Sequence, residues 1–74
     1  MGYTLFSVGE RVRIVRGNFA GVEGRVVSPL EPAQRGGTIV LHGASMLLPV
    51  TIATLIDGRA VSMRVPPELL ERID

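Results

Sequence analysis

Two adjacent residues, Asp57-Gly58, constrain this chain more than any others. A type I′ hairpin turn needs positive φ at both of its central positions, and Asp-Gly supplies them. The chain alternates on both sides of the pair. Val50, Ile52 and Ile56 fall on one face before it. Val61, Met63 and Val65 fall on one face after it, with Ala60, Ser62 and Arg64 opposite. Alternation with a period of two is the mark of a strand buried on one side. The pattern therefore predicts a long strand over Met46 to Ile56, a tight turn, and an antiparallel partner strand ending at Pro66-Pro67. Pro49 marks a bulge or an outer position, because proline cannot donate to a ladder.

The rest of the chain reads the same way. Val12 and Ile14 alternate with Arg11, Arg13 and Val15, which predicts a first strand over Glu10 to Arg16. Gly17-Asn18 ends it, since both residues tolerate positive φ. A loop carrying Phe19 and Val22 follows, punctuated by Gly21 and Gly24. A second strand runs over Glu23 to Ser28 until Pro29 and Pro32 stop it. Leu30 to Gly37 is a polar connection, and its Arg35-Gly36-Gly37 triplet reads as a turn. Thr38 to His42, rich in β-branched residues, is a third strand, and Gly43-Ala44-Ser45 turns the chain. After the hairpin, Pro67 suits the first position of a short helical turn. Leu69, Leu70 and Ile73 would form its apolar face. The expected fold is all-β: a small, strongly bent, five-stranded antiparallel barrel with a short C-terminal helical turn, one domain over residues 1–74.

Composition bounds what such a domain can do. A chain of 74 residues buries only about 60–65% of its unfolded surface, and a core of that size seldom supplies more than roughly 3–5 kcal/mol of net stability. There is no cysteine, so disulfides and thiolate metal sites are excluded. The single histidine, His42, is flanked by Leu41, Gly43, Ala44 and Ser45, which offer no carboxylate to complete a metal site. No nucleophile, base and acid cluster in a pattern that supports catalysis. The expectation is a module that is not an enzyme and carries no cofactor. Hydrophobic residues make up 46% of the chain and charged residues 20%, against an average near 25% charged. Apolar surface is left over for self-association or for a protein partner. The uncharged stretch Ile39 to Ile56 is no membrane span, because His42, Gly43, Ser45, Pro49, Thr51 and Thr54 interrupt it. Met1 to Phe6 has neither the basic nor the apolar region of a secretory signal, so a cytoplasmic location is expected.

The formal net charge is +1, low for a committed nucleic-acid binder. All eight basic residues are arginine. Arg11, Arg13, Arg16 and Arg25 outweigh Glu10 and Glu23 in the N-terminal third, whereas Glu68, Glu71 and Asp74 outweigh Arg72 in the tail.

The stretch from Val8 to Val27, V-G-E-R-V-R-I-V-R-G-N-F-A-G-V-E-G-R-V-V, resembles the KOW motif: a strand, a glycine-rich loop and a second strand. Its loop G-N-F-A-G is similar to the NusG type, with phenylalanine two residues after the first glycine. KOW ribosomal proteins more often place basic residues there, and none stands between Gly17 and Gly24. Val50 to Ile73, with its D-G-R hairpin and closing L-L-E-R-I, is similar to the last strands and tail of the NusG carboxy-terminal domain. Between them, Leu30 to Pro49 is longer than the family pattern.

The resemblance implies an SH3-like barrel that binds partners in transcription elongation and antitermination. Its partners would be a small-subunit ribosomal protein, termination factor Rho or RNA polymerase. Carried over by position, the contact surface would comprise Phe19 and Val22 from the loop with Ile56 and Arg59 from the hairpin. The alternative implied by KOW ribosomal proteins is weak RNA binding, with Arg11, Arg13, Arg16 and Arg25 on phosphates. Phe19 has a second possible role as a plug over one end of the barrel.

Overall fold

The computed structural model describes residues 6–30, 34–43 and 48–73. They form six strands: β1 (Arg11–Ile14), β2 (Glu23–Val26), β3 (Thr38–Val40), β4 (Val50–Ile56), β5 (Arg59–Val65) and β6 (Leu70–Arg72). A single 3₁₀ turn spans Pro67–Leu69. All six strands belong to one mixed sheet, in the order β3-β5-β4-β2-β1-β6. Predicted residues Pro32, Ala44, Ser45 and Met46 lie outside the described residues. No helix among the described residues is long and apolar enough to cross a membrane.

The β4–β5 hairpin forms as the Asp57-Gly58 signal requires. Asp57 and Gly58 have φ of 52° and 79°, and pairing runs without a break from Ile56↔Arg59 to Val50↔Val65. Pro49 stands exposed immediately before β4. Val61, Met63 and Val65 are buried, as is Ile52.

Together with Val12, Ile14, Val26 and Leu70 these residues make one core. It draws on both β5 and β6, four places apart in the sheet order. No second layer covers this face among the described residues, so the sheet bends over its own apolar side. Gly24 permits part of that bend. A Cβ there would lie 2.7 Å from the Ala53 carbonyl oxygen and 3.1 Å from the Thr54 Cβ. β2 and β4 therefore approach more closely at this crossing than any side chain allows.

Three expectations are corrected. The sheet has six strands, not five, and it is not wholly antiparallel. β3 runs parallel to β5, with Thr38↔Ser62, Ile39↔Met63 and Val40↔Arg64 in register. Ser62 was expected to face solvent but is buried, because the segment leading into β3 lies against it and Gln34 N–H donates to its hydroxyl at 3.4 Å. The Arg35-Gly36-Gly37 turn docks here too: Gly36 N–H donates to the Ala60 carbonyl at 2.8 Å. The third correction concerns the C-terminus. The helical turn ends at Leu69, and Leu70 is extended at φ −115°, ψ 147°. Leu69, Leu70 and Ile73 therefore make no helical face. Instead β6 pairs antiparallel with β1 through Ile14↔Leu70 and Val12↔Arg72. The free side of β1 offers backbone partners that a one-turn helix would leave unmet: Val15 N–H donates to Leu69 O, and Ile73 N–H to Arg11 O.

Candidate functional site

The β1–β2 loop is wound tightly by its own backbone. Gly17 and Gly21 take φ of 86° and 98°. Gly21 N–H donates to Ile14 O at 2.7 Å, Ile14 N–H to Val22 O at 2.8 Å, and Val22 N–H to Phe19 O at 3.1 Å. These bonds fold Phe19 back onto the sheet, where it is half-buried and packs against the core. Phe19 thus caps the core while keeping part of its surface open.

Register then sets what lies beside the loop. β2 and β4 pair through Val26↔Ile52, Arg25↔Ala53 and Gly24↔Thr54. Continuing that ladder puts Val22 across from Ile56, which pairs with Arg59. The β1–β2 loop and the β4–β5 turn therefore share one end of the sheet. Val22 and Ile56 are half-buried against the core, and Arg59 is exposed. No ion pair engages Arg59 among the described residues. Phe19 is linked to this row through its carbonyl, but it lines a separate cleft on the far side of the loop. That cleft has a volume of about 340 Å³ and is bounded by Arg16, Asn18, Phe19, Val40, His42 and Leu69, with Gly17 and Leu41.

The arginines do not form one cationic face. Arg11 and Arg25 stand opposite each other on β1 and β2. Arg11 lies 3.8 Å from a Glu23 carboxylate oxygen. Arg13 is held between Glu23 at 3.3 Å and Glu71 at 3.2 Å. Arg16 is away from all three, in the Phe19 cleft. Only Arg16 and Arg25 of the four lack an ion pair among the described residues. An open groove of about 500 Å³ runs over the outer sheet face, with Ala53, Ala60 and Gly24 along it and Arg11, Arg25 and Leu55 at its sides.

Near the N-terminus, Glu10 pairs with Arg72, whose guanidinium lies 4.9 Å from the centre of the Phe6 ring. The Arg72 hydrogen bond, and then the Ser7 backbone N–H, hold the Glu10 carboxyl below its ordinary 4.5; both favour the charged form.

The sequence reading missed the far wall of the Phe19 cleft: Val40, Leu41, His42 and Leu69. No local signal places them there. They reach Phe19 through the β3–β5 and β1–β6 pairings, which join residues distant in the chain. Set against known proteins, the chain matches no family model, no curated protein and no solved structure.

Proposed function

We propose that this chain is a non-catalytic docking module, an SH3-like barrel of the KOW type found at the carboxy terminus of NusG. It docks a protein partner in transcription elongation, antitermination or the coupling of transcription to translation. Bending of one sheet over a single core is what supports closure into a barrel. The observation that carries the functional reading is the meeting of the glycine-rich loop and the Asp57-Gly58 turn at one end of the sheet. There half-buried apolar residues Val22 and Ile56 adjoin an exposed arginine without an ion pair among the described residues, Arg59, and Phe19 lies on the same loop. Interfaces concentrate their energy in such residues, with aromatics and arginine over-represented. The RNA reading draws less support, because Arg11 and Arg13 are already engaged by carboxylates.

The test is titration of isotope-labelled protein with termination factor Rho, with the small-subunit ribosomal protein and with RNA polymerase. Amide shifts are expected around Phe19, Val22, Ile56 and Arg59 with at least one of them. Phe19→Ala should weaken that complex by about 1–3 kcal/mol. Stability is measured on the same variant, since a ring that mainly caps the core would lower the melting temperature instead. Unchanged affinity in a folded Phe19→Ala protein removes Phe19 from the site.

A further inference from the structure

We propose that the cleft between the β1–β2 loop and the end of β3 receives an acidic–aliphatic peptide segment of the protein partner: an aliphatic side chain in the cleft, an adjacent carboxylate on its rim. The proposal rests on the docking reading and adds to it the chemistry of the partner and a wall that the loop alone does not supply.

The cleft has two kinds of lining. Phe19 and Leu69 are half-buried and pack against the core, and Val40 beside them is 50% exposed. Together they give an apolar floor that is covered on one side only among the described residues. Burying an aliphatic side chain on such a floor is favourable in proportion to the area removed from water. The rim is polar and of one sign. Arg16 is exposed and has no ion pair among the described residues. His42 is exposed and lines the same cleft. The backbone N–H groups of Gly17, Asn18 and Phe19 donate no hydrogen bond among the described residues.

Among the described residues, no acidic side chain lines the cleft. Glu23 and Glu71 are drawn to Arg13, and Glu10 to Arg72. Glu68, the acid nearest in the chain to Leu69, has its carboxylate close to Gly43, such that a Cβ on Gly43 would stand 2.9 Å from its Oε2. The cleft thus offers a cation next to apolar surface, and a carboxylate beside a leucine-like side chain complements both. A nucleic acid fits less well. It would need an open ring face for stacking, whereas Phe19 is half-buried in the core, and it would find a single arginine for its phosphates.

The test uses a short capped peptide alternating aspartate with leucine, its lysine–leucine counterpart and oligouridylate. Each is titrated at millimolar concentration into isotope-labelled protein. The aspartate–leucine peptide is expected to shift the amides of Arg16 to Phe19 and of Val40 to His42, and the lysine–leucine peptide is not. Arg16→Gln and Val40→Ser sit at exposed positions, so both variants should stay folded. Arg16→Gln should weaken the peptide about two- to fivefold, the range of an exposed charge pair. Equal binding of the lysine–leucine peptide, or no binding of either, overturns the proposal. So does oligouridylate binding at these amides in place of the peptide. Shifts confined to Val22, Ile56 and Arg59 would overturn the cleft while leaving the docking reading intact.

Discussion

Replacing Gly24 by alanine tests how closely the bent sheet is packed. Gly24 lies in β2 between β1 and β4, and its backbone φ is not positive. Any cost of a side chain there is therefore one of space and not of conformation. The new methyl would stand 2.7 Å from the Ala53 carbonyl oxygen, 3.1 Å from the Thr54 Cβ and 3.3 Å from the Ile52 Cδ1. The nearest atom is backbone, so rotamer changes cannot relieve the contact and the strands must separate. Overpacking of this kind costs about 1–3 kcal/mol. Alanine recovers roughly 0.4–1 kcal/mol by restricting the unfolded chain. A net loss near 1–2 kcal/mol corresponds to a fall of roughly 6–12 °C in melting temperature for a domain of this size. Thermal and urea denaturation followed by circular dichroism would measure it, with the urea slope unchanged. Ile52→Val in the same chain should give no rescue, because it leaves the Ala53 carbonyl in place. A Gly24→Ala protein as stable as wild type, or one restored by Ile52→Val, would refute the close β2–β4 approach.

Val61 is buried in the core, and an unpaired carboxylate there costs several kcal/mol, comparable with the whole stability of so small a domain. Val61→Asp should abolish the cooperative melt, and a melt within a few degrees of wild type would show that β5 faces the other way. Glu10 is held below its ordinary 4.5 by Arg72 and Ser7 in the folded protein, so its contribution is present above that value and is lost as pH falls through the lower folded value. Urea midpoints measured from neutral to acidic pH should show this acid-side loss in wild type and less of it in Glu10→Gln. Any RNA binding should depend on Arg16 and Arg25, the two of the four arginines without carboxylate partners among the described residues. The slope of log affinity on log salt should then be about −1.4, against about −3 if all four met phosphates of a single strand.

Legibility in the sequence followed the range of the interactions. The β4–β5 hairpin could be read residue by residue, since its turn chemistry and alternation are both local. The inward set Val12, Ile14, Ile52, Val61, Met63 and Val65 could be read from period alone, whereas adjacent Val26 and Val27 left the buried side of β2 open. The parallel pairing of β3 with β5 could not, because β4 separates the two segments in the chain and nothing in either segment encodes the direction of pairing. Ser62 was misassigned for the same reason: alternation shows which side faces the core, not what covers the opposite side. β6 was hidden by its length. Three residues carry too little periodicity to separate a strand from a helical turn, and Pro67 favoured the turn. Of the candidate site, Phe19, Val22, Ile56 and Arg59 could be placed near glycine-marked turns. Val40 and His42 owe their position beside Phe19 to tertiary pairing alone.

The docking of the Arg35-Gly36-Gly37 turn and β3 along β5 covers a row of groups that would otherwise be a template for self-pairing. β5 has seven residues, long enough to seed fibrous stacking if its outer row of hydrogen-bonding groups were bare. The chain occupies that row itself. Gly36 N–H donates to Ala60 O, Ser62 N–H to Gly37 O, and Leu41 N–H to Arg64 O. Gly36 can come this close only without a side chain, since a Cβ would meet Val61 Cγ1 at 2.5 Å and Ala60 O at 2.7 Å. The strands left at the two margins, β3 and β6, have three residues each, and β6 carries the charged side chains of Glu71 and Arg72. Excising the segment from Arg35 to Leu41 would expose a seven-residue template, turning a sheet that ends growth into one that invites it.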